Sequence, residues 1–436
     1  MPRISSATLL KLTLPTALSA MLDNAYRVID QQAVQWLGVE AQAAIASTTF
    51  VLIAYYALYS IMSAGTLALL SRAIGSKDTK SQEAYMANAL IGALSIGLCV
   101  LSLSAWLAPM TVQLLGLTGN TAELAQAYLR WHALSCLAQA VMPSLEAIFI
   151  AYGRAQPVFW LQLLATTLNI VLNPVCIYHF GLGIGGSALA TGISSHIAVI
   201  SGILLLRVTS PFRFKHCLPS RHLGQIAKIG LPMCWGSLMF AGVYWAMLHW
   251  VISPLGTSVN AALGIGFSAL EGFTWPVFWG FSMGIAGIVG RCLGANQIND
   301  ALAAIRLAFK WLTAIGMLVG LVFYFGAVYL CSLFTQDAAV LIQAVGYAQI
   351  LAFSQVFVAY EALAEGVLSG SGQTRLIFYW SAPLNILRIP LSWWFAIHLD
   401  FGANAVWWTI NASTLLKTLG KWYSVQTGRW QRTIDE

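Results

Sequence analysis

The stretch MSAGTLALLSRAIG, residues 62–75, returns in altered form as FSMGIAGIVGRCLG at residues 281–294. The two copies share a glycine, an arginine and a second glycine at one constant offset: Gly65, Arg72 and Gly75 in the first, Gly284, Arg291 and Gly294 in the second. A shared order of small and charged residues inside apolar sequence predicts that two parts of the chain have the same local structure.

Three more pairs of segments match in the same order at nearly the same offset. Leu14-Pro15 matches Leu231-Pro232, the spacing from Glu146 to Gly153 matches that from Glu365 to Gly372, and LNIVLNP (168–174) matches LNILRIP (384–390). Four ordered matches indicate an internal duplication. The equivalent prolines Pro174 and Pro390 each remove a backbone donor inside a helix, so they predict kinks that allow gating.

Composition places the duplicated chain in a membrane. Of its 436 residues, 58% are hydrophobic and only 8% are charged, whereas soluble domains carry about 25% charged residues. The apolar runs are about 20 residues or longer, which predicts an all-α protein rather than a barrel. The seven cysteines are scattered without a CxxC pair, so neither a metal site nor a disulfide framework is indicated.

Hydropathy predicts twelve transmembrane helices, at residues 14–36, 48–71, 84–109, 124–150, 157–179, 184–206, 231–253, 261–289, 308–333, 340–368, 376–397 and 403–424. Pro15 then falls near the start of its helix. Lysine and arginine concentrate at alternate connections: Arg3, Lys11; Arg72, Lys77, Lys80; Arg154; Arg207, Arg213, Lys215, Arg221, Lys228; Arg291, Arg306; Arg375; Lys417, Lys421, Arg429, Arg432. By the positive-inside rule both termini are cytoplasmic, and the net charge of +7 reflects topology rather than nucleic-acid binding.

The duplication and the topology together predict two lobes. Residues 1–206 form an N-lobe of helices 1–6, residues 207–230 a cytoplasmic loop, and residues 231–436 a C-lobe of helices 7–12 with a short tail. Six is an even number, so the repeats are parallel, and two such lobes around a cleft suit alternating access. No HExxH, GxSxG or Walker motif is present, so an enzyme is not expected.

One stripe of the first helix carries three charges. Asp23, Arg27 and Asp30 lie at i, i+4 and i+7 in LDNAYRVIDQQAV, so their side chains share one face. A charge inside a membrane helix costs roughly 2.5–3.5 kcal/mol and persists mainly where it is paired or faces a water-filled cavity. Asp30 is the best candidate for a coupling carboxylate, and Asp23 and Arg27 are candidates for tuning it. All three could instead form an ion-paired network that fixes helix packing.

The ordered motifs resemble the multidrug and toxic compound extrusion (MATE) family, most closely its bacterial DinF-like branch. The resemblance rests on the proline–Asp30–Gly38 spacing followed by GVEAQAAIA, on MSAGTLALLSRAIGSKD, on LNIVLNPVCIYHFGLGIGGSALAT and on IAKIGLP before helix 7. It implies a V-shaped fold of two six-helix lobes and the export of organic compounds in exchange for protons or sodium ions.

The resemblance also implies a cation pocket in the N-lobe. Its aspartate falls on Asp30, its asparagine on Asn169 and its threonine on Thr191, whereas the second acid of the DinF-like branch is here Asn173. Span 7 carries no acid, so the C-lobe cation site of other members is not expected in that form. With one acid and a nearby arginine, protons are favoured over sodium as the coupling ion.

The C-lobe holds candidates for a substrate cavity. Carboxylates beside aromatic faces suit flat organic cations, and such groups occur at Glu271, Trp275, Trp279, Tyr360 and Glu361. Packing alone also accounts for any single aromatic. Arg388, two residues before Pro390, leaves room for an anionic substrate.

The function predicted from these features is a secondary active antiporter that exports small amphipathic drugs or toxic metabolites in exchange for protons. The alternatives are a sodium-coupled antiporter, a dedicated exporter of a siderophore or organic anion and, less favoured, a lipid-linked oligosaccharide flippase. We expect a multi-pass monomer of the inner (plasma) membrane that needs no cofactor and binds a small-molecule substrate.

Overall fold

The computed structural model describes residues 5–212 and 220–431, apart from the side chains of Arg27, Phe50, Ser268 and Ala269. Within these residues the regular structure is entirely helical. In chain order the α-helices are α1 Ser6–Ala33, α2 Val39–Gly75, α3 Thr79–Leu114, α4 Gly119–His132, α5 Cys136–Ala151, α6 Gln156–Pro174, α7 Gly183–Thr209, α8 Arg221–Met247, α9 Thr257–Leu263, α10 Gly272–Gly294, α11 Ile298–Phe325, α12 Ala327–Ser332, α13 Ala338–Ala352, α14 Gln355–Gly370, α15 Thr374–Trp393 and α16 Gly402–Gln426. The basic residues Arg3, Arg213, Lys215 and Arg432 lie outside the described residues.

The helices correspond in order to the predicted spans. Eight helical segments in the described chain are long and apolar enough to cross a membrane, and α13 and α14, bent by 55° at their junction, form a ninth. The first, eleventh and twelfth predicted spans correspond to α1, α15 and α16, which are not among these nine segments. The predicted all-α membrane fold is confirmed.

The expected position of Pro15 near the start of its helix is wrong. The helix α1 begins at Ser6, so Pro15 lies inside it. The first turns of α1 contain Ser6, Thr8 and Lys11, which lower the hydropathy without preventing a helix. Hydropathy therefore placed the start of the span too late. The matching Pro232 lies inside α8 in the same way.

Backbone conformation repeats with the sequence. Gly38 has φ +105° and directly precedes α2, while Gly256 has φ +114° and directly precedes α9 at the matching place of the second repeat. Each follows a 3₁₀ turn, and such φ values favour glycine. Lys77 and Asn296 are a further matched pair, and both adopt positive φ although neither is glycine. The two halves therefore share unusual conformations as well as helices.

The equivalent prolines Pro174 and Pro390 also precede equivalent irregularities. A π-helical turn covers Val175–His179 directly after Pro174, and another covers Trp394–His398 shortly after Pro390. Local π-helical adjustment can satisfy backbone groups that a proline frees in a membrane helix, and π turns often occur at functional sites. The π-helical turns follow the two prolines along the chain, and the predicted kinks and their gating role stay predictions.

One compact unit contains Leu18–Cys234 and Gly294–Asn296, within the described residues. Helices α2, α3 and α5 pack against one another in it, and α6 packs on α7. The start of α8 approaches α2 so closely that a side chain at Gly65 would overlap the Ile226 carbonyl, and one at Gly230 would overlap that of Ile61. Glycine at these two positions permits the close helix contact.

The other compact unit contains the described parts of Met1–Ala17, Trp235–Leu293 and Gln297–Glu436. Here the start of α1 packs on α10, where the Thr16 hydroxyl donates a 2.8 Å hydrogen bond to the Gly280 carbonyl. Helix α14 packs on α10 through Gly366 and Gly370. Each unit thus includes the first turns of a helix whose remainder belongs to the other. The predicted lobe boundaries at 206, 207–230 and 231 stay a prediction.

Candidate functional site

Asp30 accepts hydrogen bonds from side chains of two other helices in its unit. Its Oδ1 accepts from the Asn169 Nδ2 at 3.0 Å and from the Asn173 Nδ2 at 2.9 Å. Its Oδ2 accepts from the Thr191 hydroxyl at 2.9 Å. The carboxylate is buried, with a relative exposure of 6%, and the three donor residues are buried more deeply still. The structure therefore brings the four predicted residues into one site.

Local sequence explains why these side chains converge. Asn169 and Asn173 are four residues apart on α6, so they lie on one face of the helix. They also bond to each other, since the Asn173 Nδ2 donates to the Asn169 Oδ1 at 3.0 Å. Thr191 lies on α7, which packs along α6. Asp30 lies in the last turn of α1, and the site forms where these three helices meet.

Among the described side chains, the partners of Asp30 are all uncharged. Asparagine amides and a threonine hydroxyl supply hydrogen bonds but no compensating charge. One acceptor is also left over, because the Asn173 Oδ1 is buried without a hydrogen-bond partner. Buried acceptors normally have partners, so this oxygen is available to a proton donor or a cation that enters the site.

A tyrosine that sequence reasoning missed completes the site. The Tyr26 hydroxyl lies 2.7 Å from the Ser194 Oγ and 3.2 Å from the Thr191 carbonyl oxygen, to which it donates a hydrogen bond. Tyr26 is one helical turn before Asp30 in α1, so it ties the same stripe of α1 to α7. The i, i+4 spacing to Asp30 is the signal that could have identified it.

The tuning candidates are only partly described. Asp23 is half-buried in α1, and its charge interacts with that of Glu146 on α5. The side chain of Arg27 lies outside the described residues. The predicted tuning of Asp30 by these two residues therefore stays a prediction.

The other unit contains a different kind of buried carboxylate. Glu361 Oε1 lies 3.0 Å from the Lys417 Nζ and 2.6 Å from the Lys421 Nζ, and Lys421 also reaches Glu365 Oε1 at 2.5 Å. The two lysines are almost fully buried. We call Glu361, Glu365, Lys417 and Lys421 the ion cluster.

The ion cluster changes the interpretation of two basic residues. In the sequence, Lys417 and Lys421 belong to the basic residues at the cytoplasmic end of the last helix, where a topology signal would leave them exposed. The structure instead buries them in α16, where they face α14. The two lysines therefore neutralise the charge of Glu361, and they are not evidence for the topology.

The remaining C-lobe candidates are distributed over several places in their unit. Glu271 ends a π-helical turn before α10 and accepts a 3.3 Å hydrogen bond from the Tyr347 hydroxyl. The rings of Trp275 and Trp279 stack on each other with centroids 6.3 Å apart. Tyr360 stacks on Phe309 at 4.3 Å. The described contacts do not bring these residues together with Glu361 in one cavity.

Arg388 lies deep in α15, two residues before Pro390. Its Nε donates to the Ser413 hydroxyl at 2.5 Å and its Nη2 to the Thr414 hydroxyl at 3.1 Å, so it ties α15 to α16. The residue is buried, with a relative exposure of 7%. Within the described residues it forms no salt bridge.

Comparison with protein families settles the class of the chain. The MatE family model matches residues 15–175 and 232–394. The chain belongs to the MatE family. The two matched segments begin at the equivalent prolines Pro15 and Pro232, in agreement with the internal duplication.

Relatives and solved structures agree with this assignment. The chain is 24% identical to the multidrug export protein MepA of Staphylococcus aureus (strain bovine RF122 / ET3-1) over 97% of its own length and 94% of the relative. A MOP superfamily transporter from Pyrococcus furiosus has the same fold, with a TM-score of 0.90 at 19% identity, over 98% of this chain and 96% of that chain. The Vibrio cholerae MATE transporter VcmN in the bent form matches with a TM-score of 0.88 at 20% identity, over 98% and 97% of the two chains.

These findings confirm the predicted family and class. The protein is a multi-pass membrane transporter of the MatE family, and its relatives are transporters rather than enzymes. At these identities the solved structures establish the fold alone.

Proposed function

We propose that this MatE protein is a secondary active antiporter that exports small amphipathic organic compounds in exchange for protons by alternating access, with Asp30 as the coupling carboxylate. One observation carries the proposal: Asp30 is a buried acid whose three hydrogen bonds within the described part of the chain come from uncharged groups. A buried carboxylate without a counter-charge is stabilised when a cation or proton neutralises it. The site is therefore suited to reversible loading.

The donors around Asp30 favour a proton over sodium. Both asparagines turn their amide nitrogens toward the carboxylate, at 2.9 and 3.0 Å. A hard cation prefers oxygen ligands, so sodium binding would require both amides to turn over. A proton needs only one carboxylate oxygen and displaces a single donor. Asn173 in place of a second acid also leaves the pocket with one formal negative charge.

The ion cluster supports a single coupling site. Glu361 already contacts two ammonium groups at 3.0 and 2.6 Å, so its charge is neutralised inside the protein. A coupling cation that bound Glu361 would have to displace Lys417 or Lys421, both of which belong to α16. We therefore assign coupling to Asp30 and a structural role to the ion cluster.

The names of the relatives support the proposed substrate, and the distribution of basic residues supports the proposed orientation. The MepA relatives are named multidrug export proteins, which supports drugs or toxic metabolites as cargo.

Basic residues at alternate connections support cytoplasmic termini in the plasma membrane. We propose that the monomer is the functional unit. A dedicated exporter of an organic anion is the second candidate, because Arg388 is a buried cation without a salt bridge in the described chain.

The test is efflux of a fluorescent organic cation from proteoliposomes under an imposed pH gradient or an imposed sodium gradient. The wild-type protein should respond to the pH gradient alone, and Asp30→Asn should reduce efflux to the level of empty vesicles. A response of the wild type to sodium alone would overturn proton coupling. Normal pH-driven efflux by Asp30→Asn would overturn the role of Asp30.

A further inference from the structure

An open groove lies between α15 and α16 at the surface of their unit. Its cavity volume is about 470 Å³, within the range of pockets that hold small molecules. Its walls are mainly apolar, and they include Leu387, Leu391, Trp408 and Leu416, each more than a third exposed. Such a surface suits a hydrocarbon chain.

One charged side chain lines this groove. Arg388 contributes to its wall together with Ser413, whose hydroxyl accepts one of its hydrogen bonds. The two hydrogen bonds to Ser413 and Thr414 use two of the five N–H groups of a guanidinium. The remaining donors are suited to the two oxygens of an acid group.

The carboxylates near Arg388 already have other partners. Glu361 interacts electrostatically with Arg388, but its direct contacts are with Lys417 and Lys421. Glu271 also interacts electrostatically with Arg388, but its hydrogen bond comes from the Tyr347 hydroxyl. Glu361 and Glu365 balance the two lysines, which leaves Glu271 as the remaining carboxylate that interacts with Arg388, without a salt bridge in the described chain. An acid in the groove would form a direct ion pair that no described residue supplies.

The depth of Arg388 bears on the source of the acid. It lies about 21 Å along α15 from Thr374, the first residue of the helix, and past the middle of the predicted span 376–397. The headgroup of a bilayer lipid lies at the membrane surface rather than at this depth. A cargo molecule in passage meets no such restriction.

We propose that the groove binds an anionic amphiphile, with its hydrocarbon chain along α15 and α16 and its acid group on Arg388. The assignment of this ligand as exported cargo rests on the proposed antiport function. It adds a substrate class to that function, the amphipathic organic acids. Arg388 is then a specificity-determining residue, and the hydroxyls of Ser413 and Thr414 hold its guanidinium in position.

Binding is tested on the full-length purified protein in nanodiscs of neutral lipid, without any ion gradient. The probes are a fluorescent 16-carbon carboxylate and the matching 16-carbon alcohol. We expect the wild type to bind the carboxylate at least tenfold more tightly than the alcohol. Arg388→Gln should remove that preference while the alcohol still binds. Equal affinity of the wild type for both probes would overturn the proposal.

Two tryptophan variants separate the groove from the rest of α16. Ala412 is exposed and lines the groove, so Ala412→Trp should fill it and abolish binding of both probes. Leu419 is exposed on the same helix but is not part of the groove wall, so Leu419→Trp should bind both probes as the wild type does. Undiminished carboxylate binding by Ala412→Trp would place the ligand elsewhere and overturn the proposal.

Two further arms identify the source of the acid. If the carboxylate is cargo, proteoliposomes should export it, and Arg388→Gln should slow that export, whereas Leu419→Trp should export it at the wild-type rate. If phosphatidylglycerol displaces the carboxylate and no export occurs, the occupant is a bilayer lipid and the assignment of cargo fails. Because binding is measured without a gradient, it is independent of the Asp30 test.

Discussion

Asp30 and Glu361 are both buried acids in membrane helices, with exposures of 6% and 5%, yet their surroundings are opposite. Asp30 is surrounded by two amides and a hydroxyl, whereas Glu361 contacts two ammonium groups. A proton can neutralise a carboxylate that is stabilised by neutral dipoles, because no other charge then loses its partner. Protonation of a carboxylate that is paired with lysines would leave the buried lysines without a counter-charge. Burial alone therefore does not identify a coupling residue.

The largest expected contrast is in transport. We expect the double variant Glu361→Gln/Lys417→Met to export an organic cation under a pH gradient at a rate within about threefold of wild type. Asp30→Asn should show no pH-driven export. The pair removes one acid and one base, so Lys421 and Glu365 keep each other as partners. The measurement is proteoliposome efflux at matched protein content. Loss of pH-driven efflux in the pair variant would give Glu361 a coupling role and end the contrast.

The second largest effect is on stability. Lys421→Met leaves Glu361 and Glu365 with fewer counter-charges in a buried site, which should lower the free energy of unfolding by about 3–5 kcal/mol. The measurement is the thermal unfolding midpoint of the purified protein in detergent. The exposed Lys228 provides a matched control, since Lys228→Met should change the free energy by less than about 0.5 kcal/mol. Equal midpoints for the two variants would show that the ion cluster is not structural.

The third effect concerns the choice of ion. Asn173→Asp places a second acid where the Asn173 amide now lies, 2.9 Å from the Asp30 Oδ1. Two carboxylates at that distance repel each other and offer more oxygens to a hard cation. We expect a sodium gradient, which should not drive the wild type, to drive measurable efflux by this variant. Asn173→Ser is the uncharged control, and a sodium response in that control would show that loss of the amide matters rather than the new charge.

The smallest expected effect is on stability and concerns Asp78, an acid outside the membrane-spanning helices whose hydrogen bonds are to Ser81. Asp78 caps α3 by accepting hydrogen bonds from the Ser81 amide at 3.1 Å and the Ser81 hydroxyl at 2.6 Å. Asp78→Ala should lower stability by about 1 kcal/mol. The Ser81 hydroxyl and amide lower the pKa of Asp78, so its contribution is present above the ordinary pKa of about 3.9 and is lost as pH falls through the lowered value.

Thermal midpoints measured across pH 2–6 should therefore show the difference between wild type and Asp78→Ala only above that acidic transition. Asp78→Asn keeps a capping oxygen and should unfold close to the wild-type temperature at neutral pH. A deficit in Asp78→Asn as large as that in Asp78→Ala would mean that charge, rather than capping, is the stabilising element.

Sequence predicted the polar site better than it predicted the ion cluster. The i, i+4 pair Asn169 and Asn173 and the charged stripe of α1 define helix faces through their spacing alone, and the family pattern paired them with Thr191. Tyr26 was missed although it lies one helical turn before Asp30, because the spacing on α1 was weighed for charged residues only. The partners of Glu361 lie on a helix far along the chain, so no local spacing could reveal the ion cluster.

What the sequence determined by itself was the class, the duplication and the faces of individual helices, because composition and periodicity are properties of the chain alone. It placed Asp30 on a charged stripe and matched Pro174 with Pro390. Only the tertiary structure decided which charges neutralise each other. Two helices must pack before Glu361 meets its lysines or Arg388 meets Ser413, and the electrostatic energy of a buried group depends on those few ångströms.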